Sequence, residues 1–444
     1  MEQILELLNN NKITEIRKIL DDKNPVDIAD YCGELPKEQC LKLFRIFPKD
    51  ISAEVFSYLS IEKQQEVIEG ITDGELTFII NDMFLDDAVD VIEEMPANLV
   101  DRILRNSSTS TRQLLNRFLK YPENSAGSVM TVEYIALKNT LTVGEAIEYI
   151  KKVGIDSATY DTCYVIDNQR KLIGDISLKS LIFLDDVLYI VDVMDTDNIK
   201  TTTTTDQENV AELFRKYDLT SLPVVDNEDR LVGMITIDDI VDVIDQENTE
   251  DFHKMAAMAP SDEEYLKESI FSLAKHRIMW LLVLMVSATF TGKIIRRYED
   301  VLQSVVVLAA FIPMLMDTGG NAGSQSSTLI IRGIALGEIG LEDVWKILWR
   351  EFRVSFVVGL VLAIVNFARI FFFDTTGPMV ALVVSISLFI TVILAKVVGG
   401  VLPVVAKACK LDPAIMASPL ITTIVDACAL MVYFGFATHL LHIK

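Results

Sequence analysis

The chain has 444 residues, half of them hydrophobic, yet its formal net charge is −24. The two properties separate near residue 270: residues 271–444 hold 10 acids and 14 bases, whereas residues 1–270 hold 54 acids and 26 bases. An acidic soluble part joined to an apolar one excludes a simple soluble enzyme, and the scarcity of basic surface argues against nucleic acid as a partner.

Residues 1–122 predict an all-α domain. Leu35-Pro-Lys-Glu, Ser60-Ile-Glu-Lys and Met95-Pro-Ala-Asn read as helix starts, with apolar residues at i, i+3 and i+4 between them. Short helices stacked in a small superhelix are expected. Acids gather at Asp86, Asp87, Asp90, Glu93 and Glu94, which a solvated face explains by itself. The N-terminus has no basic stretch followed by an apolar one, so no signal peptide is predicted and the acidic part is expected in the cytosol. The five cysteines are scattered without a C-x-x-C and read as free thiols; the four histidines form no metal motif.

Residues 123–188 and 189–246 repeat each other. Val165-Ile-Asp-Asn aligns with Val224-Val-Asp-Asn, and Gly174 with Gly233, at a constant offset of 59. Each copy predicts helix, short apolar strand, turn, second strand and helix. The pair resembles tandem α/β cystathionine-β-synthase (CBS) domains, many of which bind adenine nucleotides. The ribose pattern of that family matches Gly233, Thr236 and Asp239 in copy two. Copy one has Gly174 and Ser177 but Ser180 in place of the acid, so one site for ATP or another adenine nucleotide is expected. A dimerisation module without nucleotide is the alternative.

A long connecting helix is predicted over 238–268. From Leu231 to His253 there is no Lys or Arg but seven acids, Asp238, Asp239, Asp242, Asp245, Glu247, Glu250 and Asp251. Pairs such as Asp238/Asp242 and Glu247/Asp251 repel at i, i+4. Bound divalent cations would relieve that repulsion and bridge the helix to another acidic surface.

Residues 270–444 predict five membrane spans, near 276–294, 301–330, 352–373, 378–405 and 413–441. An odd number places the C-terminus outside when the acidic part is cytosolic. In the fifth span Ser418, Thr422 and Asp426 share one helical face, with Ala429 continuing it. A carboxylate there requires a polar cavity or a partner. It either lines an ion path or locks helix packing, with Lys396 of the fourth span as a possible partner. The second span carries Asp317-Thr-Gly-Gly-Asn-Ala-Gly-Ser-Gln325, read as a Gly-rich turn near Asp317, which has no assigned role. Asn321 and Gln325 offer carbonyl oxygens on one face, and a Gly/Ser packing seam is the alternative. An oxygen-only lining suits Mg²⁺, which keeps much of its water.

The order of parts, with Gly319-Gly-Asn-Ala-Gly-Ser-Gln325, Ala417-Ser-Pro-Leu-Ile-Thr-Thr-Ile-Val-Asp426 and the acidic run Asp238–Asp251, resembles the MgtE family of magnesium transporters. The resemblance implies a homodimer with a pore between two membrane domains and Asp426 recognising hydrated Mg²⁺. It implies regulatory Mg²⁺ ligands at Glu54, Asp86, Asp90, Glu208, Asp218, Asp239, Asp242, Glu247, Glu250 and Asp251. Some members carry Asn where this chain has Ser418. The expected function is a Mg²⁺ channel of the cell membrane, closed by cytosolic Mg²⁺. A carrier coupled to H⁺ or Na⁺ and a nucleotide-sensing membrane regulator are the alternatives. No nucleophile–base set, zinc motif or Walker loop supports an enzyme.

Overall fold

The computed structural model describes residues 2–10, 12–20, 23–154, 157–261, 265–266, 268–374 and 376–442. The chain divides into two compact units, Met1–Val243 and Ile244–Lys444.

The first unit opens with short helices, among them α1 (Glu2–Asn9), α2 (Ile13–Leu20), α3 (Pro25–Glu34), α4 (Lys37–Phe44), α5 (Lys49–Ser57), α6 (Ile61–Gly70), α7 (Asp73–Asp82), α8 (Leu85–Glu94), α9 (Ala97–Asn106) and α10 (Thr109–Phe118). The sequence punctuates them. Pro36, Ser60 and Pro96 occupy the N-cap positions of α4, α6 and α9, as expected, although Ser60 makes no capping bond through its side chain. Thr72 and Glu75 form a capping box on α7. The apolar faces meet in a buried interior that includes Phe44, Phe56, Leu76, Val89 and Ile103.

The repeat follows, with β1 (Ala136–Lys138), α11 (Val143–Val153), β2 (Thr162–Ile166), β3 (Leu172–Ser177), α12 (Leu178–Phe183) and α13 (Ile190–Val193) in copy one. Copy two has β4 (Thr201–Thr202), α14 (Gln207–Tyr217), β5 (Ser221–Val225), β6 (Leu231–Thr236) and α15 (Ile237–Met255). Both sheets run parallel then antiparallel, in the orders β1-β2-β3 and β4-β5-β6. The register repeats to the residue: Val165 faces Gly174 and Val224 faces Gly233, with a bulge after each valine. Each glycine packs on the other copy's lead-in. A Cβ on Gly174 would stand 2.8 Å from the Asp195 carbonyl oxygen, and one on Gly233 2.8 Å from that of Thr131.

The connecting helix is shorter than expected. It ends at Met255, not near 268, because Ala257 turns left-handed (φ 53°) and the Met258 amide bonds the His253 carbonyl at 2.9 Å. Pro260 then bars resumption. The division between the units falls within this helix.

In the second unit the helices are α16 (Ile270–Arg297), α17 (Glu299–Ser304), α18 (Ile312–Ala335), α19 (Val344–Phe373), α20 (Pro378–Ala408) and α21 (Ser418–Leu440). Five segments are long and apolar enough to cross a membrane: Ile270–Arg297, Val306–Ala335, Leu341–Phe373, Pro378–Ala408 and Pro413–Leu440. The core lies where α18, α20 and α21 pack on one another, with α19 against α20. Buried Tyr433 donates to the Leu308 carbonyl at 2.9 Å. None of the described α16 residues is buried in the single chain.

The Gly-rich run of the second span is not a turn. Residues 317–328 are helical throughout, inside α18. A helix satisfies its own backbone in an apolar medium, and the small residues let neighbours approach. A Cβ on Gly399 of α20 would fall 2.2 Å from the Gly323 carbonyl oxygen, so the two backbones touch there.

Candidate cation path and regulatory acids

α18 and α21 position the polar residues of the membrane unit. On α18, Gly319, Gly320, Gly323, Ser326 and Ser327 are buried against neighbours, which turns Asn321 and Gln325 outward to an exposed face of the single chain. On α21, Ile421, Val425 and Ala429 are the buried face. Thr422 and Asp426 lie half-buried beside it. Ala429 therefore belongs to the packing face and does not continue the polar stripe. The Ser418 side chain lies outside the described residues; only its backbone, at the start of α21, is placed. The Thr422 hydroxyl donates to the Pro419 carbonyl at 2.9 Å, which leaves its oxygen as an acceptor.

Lys396 does not pair with Asp426. It is 5 % exposed on α20 and donates to Gln325 Oε1 at 3.3 Å and to Ser326 Oγ at 3.5 Å. Ser326 in turn donates to Glu351 of α19 at 2.6 Å. An ammonium group is donor-only, so it fixes the orientation of the amide. The Gln325 carbonyl points to Lys396 and the NH₂ end is left for the exposed face. Of the two carbonyls expected to face an ion, only that of Asn321 remains without such a claim.

In the first unit α8 and the start of α15 bring acids together. Asp86 and Asp87 feel the charges of Asp239 and Glu133; Asp238 adds to the field at Asp87. Loss of solvent is the larger cause, and together these push the Asp86 carboxyl well above its usual range and Asp87 up to about 6. Asp90, although its side chain is exposed on α8, is raised first by the protein packed around it and then by Asp87 and Glu93. Asp86 Oδ1 is buried with no hydrogen-bond partner. Exposed Glu54 of α5 joins the group around Tyr58, whose phenol is raised by burial and then by Glu54, Asp87, Asp238 and Asp242. Glu54, Asp86, Asp90, Asp239 and Asp242 are thus one neighbourhood. Asp87, Asp238 and Glu133 belong to it and were not assigned from sequence.

Glu208 and Asp218 stand apart from each other. They occupy opposite ends of the α14 segment, ten residues or about 15 Å apart along a helix. Asp218 adopts the left-handed conformation (φ 51°) that closes α14, a structural role sufficient to explain an Asp. Thr236 donates to Asp239 Oδ2 at 2.5 Å, and its amide bonds the same oxygen at 3.4 Å. The expected nucleotide residues Thr236 and Asp239 therefore also cap α15, and Gly233 is also required by the packing of the two copies.

In the second unit Glu247, Glu250 and Asp251 lie on the C-terminal half of α15. Lys254 bonds Glu250 and, at 2.5 Å, Asp412, which precedes α21. Asp251 is pushed up to about 6 by loss of solvent and then by Asp412, with Lys254 opposing. Met255 packs against Ile331, Ala414 and Ala417. The end of the connecting helix is thus seated at the start of α21. Neither Lys254, just past the acid-rich run, nor Asp412, distant in the chain, is marked by a sequence pattern.

Among the described residues no three His, Cys, Asp or Glu side chains are already gathered as a metal shell. The donor chemistry nevertheless fits a hard cation, since it is all oxygen and includes the partnerless Asp86 oxygen.

Comparison with known proteins agrees with this arrangement. A family model for the MgtE divalent cation transporters matches residues 312–436. One for the MgtE intracellular N domain matches 23–124, and a CBS-domain model matches 190–246. The magnesium transporter MgtE of Thermus thermophilus is 34% identical over 440 residues, 98% of this chain and 97% of that protein. That of Bacillus subtilis is 32% identical over 99% of this chain and 97% of its own length. Among solved structures, the soluble part of a magnesium transporter superposes with a TM-score of 0.53 at 27% identity, covering 55% of this chain and 97% of that one. The cytosolic domain of the Mg²⁺ channel MgtE in complex with ATP gives 0.52 at 34% identity, covering 54% and 98%.

Proposed function

This chain belongs to the MgtE family of divalent cation transporters, and we propose that it passes Mg²⁺ through the membrane along the stripe formed by Asn321, Thr422 and Asp426, with Gln325 beside them held through its carbonyl by Lys396. One observation carries the reading: membrane-spanning α18 turns amides out of the single chain beside a carboxylate on α21. Hydrocarbon does not tolerate such a face. Two copies placing these stripes together would enclose them in a water-filled path, which is the argument for a homodimer. The arrangement suits an ion that retains water, because each chain offers carboxylate, amide and hydroxyl groups rather than a cage.

The same reading assigns the acids of the first unit and of α15 to regulation. Crowded carboxylates disfavour the packed arrangement until a divalent cation offsets their charge. Cytosolic Mg²⁺ would therefore select the packed state, in which the end of α15 stays seated on the start of α21. A ligand shifts such an equilibrium only by its greater affinity for one state. The acidic part is cytosolic and the C-terminus outside on this reading. The relative solved with ATP supports nucleotide binding, and the pattern Gly233, Thr236 and Asp239 is the reason to assign it to copy two.

Mg²⁺ uptake into proteoliposomes tests the path. Asp426→Ala is expected to abolish uptake while the protein still elutes as a folded dimer. Undiminished uptake would remove Asp426 from the path.

A further inference from the structure

The exposed stripe of α18 begins one turn before Asn321. Asp317, Asn321 and Gln325 follow at intervals of four and all are exposed in the single chain. The helix contacts fix the level of Asp317. A Cβ on Gly323 would meet Ile421 at 2.7 Å, one on Gly320 would meet Thr422 at 2.9 Å, and one on Gly319 would meet Val425 at 2.9 Å. Falling numbers on α18 thus pair with rising numbers on α21, so the helices are antiparallel. Asp317 lies three residues beyond Gly320, and Asp426 four beyond Thr422. Each step is about one helical turn. The two carboxylates therefore arrive at the same level, and Asp317 is the charge acting on Asp426. Among the described residues no Lys, Arg or His forms an ion pair with either carboxylate. Arg369 reaches Met314 Sδ at 3.6 Å, one turn before Asp317, but donates to Asn366 Oδ1 at 3.2 Å.

We propose that Asp317 is a specificity-determining residue of the cation path, sharing with Asp426 the charge of a passing divalent ion. The inference rests on the reading of Asp426 as a path residue. Two copies would bring four such carboxylates to the path, and a divalent ion offsets twice as much of their charge as a monovalent one. In a span, where the effective dielectric constant is low, the mismatch costs more than it would in water. Asp317 thus favours divalent over monovalent ions, beyond what Asp426 achieves alone.

The test is electrical and uses the full chain in planar bilayers or patches. Without divalents, monovalent current is measured, and external Mg²⁺ is titrated to block it. Asp317→Asn is expected to raise the blocking concentration about tenfold or more and to lower the Mg²⁺ to Na⁺ flux ratio. Asp317→Glu should restore both. A midpoint does not depend on how much protein is folded, so a purely structural role would leave it unmoved. Asp317→Ser serves as a second variant if the amide folds poorly, with the same expected shift. Wild-type midpoints in the neutral variants, with Asp426→Asn inactive, would overturn this inference alone. Wild-type behaviour of Asp426→Asn would overturn the path itself.

Discussion

Neutralising Asp87 tests whether the acids of α8 and α15 hold the first unit under electrostatic stress. Its carboxyl is pushed from an ordinary 3.8 up to about 6, first by loss of solvent and then by Asp239 and Asp238. About two pH units correspond to about 3 kcal/mol of penalty on the charged form at pH 7.5, where the group is ionised in either arrangement. Asn keeps the size and loses the charge, but its buried amide retains some cost, so a gain of about 1–3 kcal/mol is expected. That is a factor of about 5 to 150 in the equilibrium between packed and separated arrangements. The assay is hydrogen exchange of the Leu85–Glu94 segment in the full chain in detergent. Wild type should exchange faster without Mg²⁺ and slow on its addition. Asp87→Asn should already exchange slowly without Mg²⁺, and added Mg²⁺ should change it little. If the variant exchanged like wild type without Mg²⁺, the acids would be no more than a solvated face, and the stress argued from their burial would be refuted.

Two further predictions follow from the same groups. The acids Asp86, Asp87, Asp90 and Asp251 have raised pKa values, so the packed state binds more protons. Without divalents its stability should fall as pH rises from about 4, the ordinary carboxylate value, through about 6 for Asp87 and about 7 for Asp90, then level off above the raised values. Hydrogen exchange of α8 at pH 5.5 and 7.5 measures this, and saturating Mg²⁺ should flatten the dependence. Lys254→Met removes the cation that joins Glu250 to Asp412. Its carboxylate neighbours would then repel, so closure should require several-fold more cytosolic Mg²⁺ in patch recordings; an unchanged midpoint would exclude the pair from gating.

The sequence makes some layers legible and hides others for physical reasons. The tandem repeat was readable because strand pairing and the Gly174/Gly233 close approaches recur at one offset. The short helices of residues 2–118 were readable because proline and hydroxyl residues punctuate them. The end of α15 was not, because nothing in Met255-Ala-Ala-Met-Ala announces a left-handed alanine before Pro260. The Gly-rich run of α18 reads as a turn by the rules of soluble proteins, but in a membrane span glycine marks close packing. The polar stripe was half legible. Spacing placed Thr422 and Asp426 on one face, but only packing shows that Ala429 is covered by neighbours and that Lys396 holds the Gln325 carbonyl. The electrostatic influence of distant acids was hidden for the same reason: that of Asp239 on Asp87, of Asp412 on Asp251 and of Asp317 on Asp426 depends on how helices meet rather than on local pattern.

The central proposal has two halves: Mg²⁺ passes beside Asp426, and Mg²⁺ at the acidic part closes the path. Excised patches containing the purified chain test both halves while cytosolic Mg²⁺ is titrated. Wild type should carry Mg²⁺ current that closes as cytosolic Mg²⁺ rises into the millimolar range, of the order expected for weak oxygen sites. Replacing Asp239, Asp242, Glu247, Glu250 and Asp251 by amides should leave the current and move closure to higher Mg²⁺, whereas Asp426→Asn should abolish the current. Identical closure in wild type and the five-site variant, or Mg²⁺ current in Asp426→Asn, would contradict the account.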